Sequence, residues 1–558
     1  MIVKHLRRAH LIAATATLAG ALALTGCTSS GSGTADAQGS GASTALLTIP
    51  REDMGTFSRN FNPFSPNAAP MTGQSIYESM LIYNPANGDT VPWLATEWEA
   101  GDDGKSLTFT LRPGVKFSDG TDLSSADVKL SVELQKQLMG GYDYLESIET
   151  PDDSTVAFTF SRAFSPALYE IGQQLVIPSH IWSEFESPGN EENPAPVGTG
   201  PYTEIANFQA QSFELQKNPH YWQPEKQKIN GIRMLAFAGN DGANLAAISG
   251  DVDWAPQYMP DIQTTYVDKD PEHRHYWFPP TGAEINWQLN TTKDEFSDVR
   301  VRKALSMALD REQIVQVGMA GYTTPADCTG LSGSYDEWRD TALVESCDWT
   351  ERDLDAAAAL LDEAGYTLDS AGVRTTPAGK PFAFDISVGS TSSDWLSVAN
   401  IIAQNLEDIG IQATVDSPDW AAVSASYETG EFDTGIVWSA NSPTPYHYYL
   451  DLMGEQKVEP VGTQTFDNYH RFGDQRADEL LDAFVATGDE AEQRQIINDV
   501  QSLYNELAPV VPLFPGPEWG AYTTANFVGW PNEDNPYATL STRSPTTVLI
   551  LTTLEPAK

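Results

Sequence analysis

From about Ala45 onward, short strand-like stretches alternate with amphipathic helical ones, and this alternation confines the chain to a mixed α/β architecture. Leu107, Phe109 and Leu111 alternate with polar residues behind the turn Asp102-Asp103-Gly104-Lys105, which predicts a hairpin over 98–112. Further strands are expected at 155–160, 212–216, 233–238, 382–388 and 434–438. Val301, Leu305, Ala308, Leu309 and Ile314 recur at helical spacing and predict one helix over 298–317. Helices over 353–364 and 394–409 stop at Gly365 and Gly410, as the C-terminal glycine rule requires. Ile496, Val500, Leu503 and Leu507 mark another helix over 490–507, which ends before Pro509. No internal repeat is visible. The chain has 558 residues, and single cores stop growing at roughly 250–300, so at least two domains are expected.

The N-terminus is of another kind. Lys4, Arg7 and Arg8 precede an uncharged apolar stretch over 11–24, shorter than the ~20 residues a membrane span needs. The pattern reads as a signal peptide. Its ending, Leu24-Thr25-Gly26-Cys27, resembles a bacterial lipobox, in which the Cys thiol carries the lipid. Cleavage before Cys27 gives a leader over 1–26, and the Gly/Ser-rich 27–44 then reads as a tether. A lipid anchor at the outer face of the bacterial cytoplasmic membrane is the expected location. Cys328 and Cys347 remain; in an oxidising compartment they most simply form a disulfide, with a reactive thiol or a metal site as the alternatives.

The formal charge is −45, from 77 Asp+Glu against 32 Lys+Arg. This argues against nucleic acid, whose phosphates are met by Lys and Arg, and for a soluble, self-repelling particle that we expect to be a monomer. After loss of the leader 29 Lys+Arg remain and the charge becomes −48. No Gly-x-Ser-x-Gly, His-Glu-x-x-His or phosphate-binding loop is present, and no catalytic residue, cofactor or metal is expected. His273 and His275 read as solvated residues of a strand or loop.

Ordered motifs then run along the body of the chain. Tyr77-Glu78, Pro92-Trp93-Leu94-Ala95, the stretch from Leu111-Arg112-Pro113-Gly114 to Ser118-Asp119-Gly120, and Asp127-Val128 come first. Gly198-Thr199-Gly200-Pro201-Tyr202, Asn218-Pro219-His220-Tyr221-Trp222, Gly250-Asp251-Val252-Asp253, Asp310-Arg311 and Leu360 to Tyr366 follow. Together they resemble family 5 extracellular solute-binding proteins, the dipeptide, oligopeptide and nickel receptors of ABC importers. The resemblance implies a bilobal periplasmic-binding-protein-like fold: two α/β lobes with a hinge, plus an extra small N-terminal subdomain. It places lobe I at 45–283, with the subdomain at about 90–195, lobe II at 284–516, and a C-terminal return to lobe I at 517–558. It implies a small-molecule ligand held between closing lobes and a permease as partner.

Peptide receptors of this family carry a Trp and then, about nineteen residues on, a Trp-x-x-Asp tetrad whose Asp pairs with the peptide's ammonium. Trp420 and Trp438 match the tryptophans, Ser439 and Ala440 follow, and Asn441 stands at the Asp position. An ammonium buried without its carboxylate loses typically 2–5 kcal/mol. An amide instead gives and accepts hydrogen bonds, which suits hydroxyl groups, and indole faces suit a pyranose. The tail, Gly529-Trp530-Pro531 through Val548-Leu549-Ile550-Leu551, is similar to the subgroup that includes cello-oligosaccharide receptors. A β-linked oligosaccharide is therefore the expected ligand, with a peptide as the alternative. Trp519 and Trp287, at the two crossovers between lobes, are read as cleft or core. Asn60 and Asn62 are read as cleft-facing or turn-forming.

Overall fold

A computed structural model describes residues 45–558; the leader, Cys27 and the tether expected before them lie outside the described residues. The first sheet pairs Leu47–Arg51 in parallel with Gly231–Ala236, followed antiparallel by Ser212–Lys217 and Tyr202–Gln209. Leu47, Ile49, Phe213, Leu215, Ile232 and Met234 turn inward from it and are almost fully buried.

The expected hairpin is present as Ala95–Ala100 and Ser106–Leu111, with Trp98 opposite Phe109. Thr155–Phe160 and Leu145–Asp152 extend it into a four-stranded antiparallel sheet. The sequence motifs before and after it meet at one carboxyl group. Glu78 accepts from the Trp93 indole at 2.8 Å, from the Tyr221 hydroxyl at 3.2 Å and from the Trp222 indole at 3.2 Å. Trp93 and Trp222 are thus structural.

A five-stranded mixed sheet forms the other half, in the order Gln412–Asp416, Ala383–Ser387, Thr434–Trp438, Pro280–Leu289 and Val511–Pro517. The last two strands are also the crossover. Pro280–Leu289 continues from Arg274–Tyr276, and Val511–Pro517 runs on into Ala521–Thr523, so the two passages between halves lie side by side. The result is a bilobal α/β fold. Aspartates serve its helices as caps: the side chains of Asp298, Asp340, Asp353, Asp419, Asp474 and Asp489 each accept a backbone N–H in the first turn. Part of the acidic excess therefore has a local role.

The helix expected over 298–317 is broken. Val299–Met307 is helical, and the chain restarts at Arg311–Gln313 and passes into a π-turn over Ile314–Gly318. The Asp310 carboxylate caps the second segment through Gln313 N at 2.9 Å. Arg311, buried beside the break, donates to the carbonyls of Ser306, Thr350 and Pro512 at 2.7–3.1 Å. The apolar stripe runs across a cap that periodicity does not register. The sulfurs of Cys328 and Cys347 are bonded, closing a loop of sequence separation 19.

Candidate functional site

The strand Thr434–Trp438 is buried along its length and emerges only at its carboxyl end, where Trp438 is 39% exposed. That end of a strand is where ligands of α/β sheets collect. The indole lies against Gly516 of the crossover strand, so closely that a β-carbon there would sit 2.3 Å from the ring. Trp395 flanks it with ring centroids 6.2 Å apart. Trp420 opens the helix Trp420–Thr429, whose start is fixed by the Asp419 cap, and is 40% exposed. Trp519, just past the crossover, is braced by Phe278 at 4.9 Å and Tyr258 at 5.2 Å. All four indoles line one cavity of about 610 Å³.

Polar groups complete the wall. Asn441 and Asn240 bring amides, and Asp394 brings a carboxyl group from the first turn of the helix Ser393–Glu407. Asp394 is 6% exposed; burial pushes it up to about 6, against backbone N–H groups that favour its charge. No cation pairs with it among the described residues. Arg543 also lines the cavity and pairs with Asp53 at 2.8 Å and Glu52 at 3.2 Å. A second cavity of about 650 Å³ shares Gln173, Asn441 and Ser442 with the first. Tyr142, Tyr169 and Thr444 line it, with His447 Nε2 3.0 Å from a Glu170 carboxyl oxygen. Asn441 thus lines both cavities.

The structure brings Trp420, Trp438, Asn441 and Trp519 together and removes the other candidates. Trp287 is fully buried in the core, tilted against Phe384, because its side chain leaves the crossover strand on the face covered by helices. Asn62 is fully buried: its amide donates to the carbonyls of Pro188 and Glu191, and its oxygen accepts Phe64 N. Asn60 accepts Asn62 N and donates to Ser65. Both asparagines are turn-formers, not cleft residues. Ser439 does not line the cavity; its hydroxyl accepts the Glu284 backbone N–H. Sequence reasoning missed Asp394, Trp395 and the Arg543 cluster, none of which carries a local signature.

A fold of two α/β lobes with an aromatic, amide-bearing cleft at their crossover is the architecture of a solute receptor. This chain belongs to the bacterial extracellular solute-binding proteins, family 5, whose model matches residues 89–459, and it is thereby a substrate-binding protein of an ABC importer. The glutathione-binding protein GsiB of Escherichia coli is 27% identical over 435 residues, covering 75% of this chain and 79% of the relative. Among solved structures, a mannohexaose-bound periplasmic oligopeptide-binding protein of Thermotoga maritima is 25% identical, with a TM-score of 0.83 over 92% of this chain and 99% of that one. The oligopeptide-binding protein AppA of Bacillus subtilis, in complex with a nonapeptide, shares the fold at 20% identity, with a TM-score of 0.76 over 92% and 99% of the two chains. These relatives are binding proteins, and no helix of the described residues is long and apolar enough to cross a membrane.

Proposed function

We propose that this chain is a lipid-anchored receptor that captures an oligosaccharide, β-linked and cello-oligosaccharide-like, and delivers it to a membrane permease. The observation that carries the reading is the set of four indoles lining one cavity, two of them well exposed, together with the amides of Asn441 and Asn240. Indole faces stack on the C–H face of a pyranose, and amides pair its rim hydroxyls in both directions. Two neighbouring cavities that share Gln173, Asn441 and Ser442 suit an extended chain of rings. The mannohexaose held by the Thermotoga relative supports a sugar of several units.

In this reading lobe I spans 45–283, with its subdomain at about 90–195, lobe II spans 284–516, and 517–558 returns to lobe I. The ligand touches both lobes and stabilises their closed arrangement, which the permease recognises. A lipid on Cys27 and the tether over 27–44 keep this monomeric receptor at the outer face of the membrane.

Asp394 favours a second reading. It is a buried carboxyl group without a cation in the same cavity, and a peptide ammonium would complete it. Calorimetric titration with cello- and manno-oligosaccharides and with a di- to pentapeptide mixture separates the two. Saturable sugar binding with silent peptides is the expected result; tight peptide binding with silent sugars overturns it.

A further inference from the structure

The charged groups that line the indole cavity do not balance. It carries the carboxyl groups of Glu52, Asp53, Asp394 and Glu518 against one guanidinium, that of Arg543. Arg543 is engaged by Glu52 and Asp53, and Arg51 gives Asp53 a second cation at 2.6 Å. Glu518 is partly exposed, with Ser541 and Arg543 close enough to favour its charge. In the adjoining cavity His447 lies beside Glu170, and no lysine among the described residues lines either space. Of the four carboxyl groups, Asp394 is the one that no cation reaches.

Asp394 is also open to the cavity. Its side chain is 6% exposed, and only the backbone N–H groups of Asp394 and Trp395 favour its charge. Neither carboxyl oxygen is among the polar atoms that are sealed from solvent without a partner, so the group meets the space that the residue lines. Its charge acts on the hydroxyl of Tyr258, another residue of the cavity wall, and Glu52 acts on Asp394 in turn. Trp395, the next residue of the same helix, lines the cavity too and flanks the exposed Trp438 with ring centroids 6.2 Å apart. One turn of helix thus offers the ligand a carboxylate and an indole together.

A carboxylate held largely out of water keeps its desolvation cost until a cation meets it, and an ammonium beside indole is further favoured by the ring quadrupole. A neutral sugar brings hydroxyl donors and pyranose faces but no charge. A peptide brings the charge but no pyranose. A sugar that bears an amine brings all three. The inference rests on the reading of the cleft as an oligosaccharide site: we propose that its solute is an amino sugar, a β-linked oligomer whose protonated amine pairs with Asp394 while its rings lie on the indoles of Trp420 and Trp438. The same carboxyl groups repel sugars that carry uronic acids.

The test is calorimetric titration of the whole chain with three β-1,4-linked dimers: the glucosamine dimer, its N-acetylated counterpart, which keeps the nitrogen but not the charge, and cellobiose. Physiological salt screens the general attraction of a chain of charge −45 for any cation. The glucosamine dimer should bind at least tenfold more tightly than the other two, as one charge-assisted contact predicts. Asp394→Asn should remove that preference, with circular dichroism to check the fold; Glu518→Gln, which takes a carboxylate from the same cavity, should preserve it. The comparison in the native chain needs no variant. Absence of saturable binding by the glucosamine dimer, equal affinities for the three dimers, a preference that survives Asp394→Asn, or one that is lost in Glu518→Gln would overturn the inference. Equal, saturable binding of all three would leave the oligosaccharide reading standing without it, whereas tight peptide binding with silent sugars would overturn both.

Discussion

Ser439 and Glu284 are tied by two hydrogen bonds across adjacent strands: the Ser439 hydroxyl accepts Glu284 N–H at 2.7 Å, and Ser439 N–H donates to the Glu284 carbonyl at 2.9 Å. The serine beside the exposed Trp438 is thus occupied in holding the strand end to the crossover. Ser439→Ala leaves the Glu284 N–H without its acceptor in a buried setting, a loss of about 1–3 kcal/mol. Urea denaturation should show that decrease, while the affinity for the cleft ligand changes less than in Trp438→Ala.

Trp438→Ala should reduce cleft-ligand affinity at least tenfold with little change in urea midpoint, since the indole is partly solvated in the unliganded chain. Gly516→Ala should mimic it, because the new methyl group occupies the place of the ring. Calorimetry on both variants, beside circular dichroism for the fold, checks the pair. Undiminished binding in either removes the Trp438 ring from the site.

Asp394 predicts a pH profile. Its carboxyl titrates near 6, so a ligand that donates to the ionised group should bind more weakly as pH falls through 6. Asp394→Asn should abolish that dependence and weaken a sugar by roughly tenfold to a hundredfold, the equivalent of one charge-assisted hydrogen bond of about 1.5–3 kcal/mol. Binding that is independent of pH between 5 and 8 in the native chain would take Asp394 out of contact.

Stability should also depend on pH, with a sign set by burial. Desolvation raises Glu284 to about 8 and Glu78 to about 7, so the folded chain keeps protons that the unfolded chain has released. Between pH 6.5 and 8 stability then falls as pH rises, by at most about 1.4 kcal/mol per pH unit for each group. His470 has the opposite sense. Buried and held near 3, it stays neutral in the fold and withdraws stability only as pH drops below its ordinary 6.5. Thermal unfolding at pH 6.5 and 8 should show the higher midpoint at 6.5, and Glu284→Gln should reduce the difference.

The bond between Cys328 and Cys347 closes a short loop of sequence separation 19. Replacing both cysteines by serine should lower stability by about 3 kcal/mol, the chain-entropy value for a loop of this size. Equal urea midpoints for the native and double-serine chains would show that the loop is as ordered without the bond.

Regular elements were legible where periodicity alone decides them. The helix Glu490–Leu507 and the strand Thr434–Trp438 lie where their apolar patterns put them, and Gly365 and Gly410 both adopt positive φ at helix ends. The break after Met307 was not, because it depends on Arg311 reaching carbonyls as distant in sequence as Pro512. The site divides in the same way. Trp420 and Trp438 lie in one short stretch whose spacing carries information. Asp394 and Arg543 enter the cleft from separate segments, with nothing local to mark them. Asn60, Asn62 and Trp287 have the right chemistry for a ligand, but turn bonding and sheet packing use it internally.

The pair of Arg543 with Glu52 and Asp53 joins residues about 490 positions apart, near the two ends of the folded body. A ribosome makes Glu52 among the first residues of this body and Arg543 among the last. Until the final segment emerges, Asp53 has only its pair with Arg51 at 2.6 Å and Glu52 lacks Arg543, and Trp519, Ser541 and Pro545 are missing from the same wall. A nascent or C-terminally truncated chain therefore lacks both this ion pair and this part of the cavity wall.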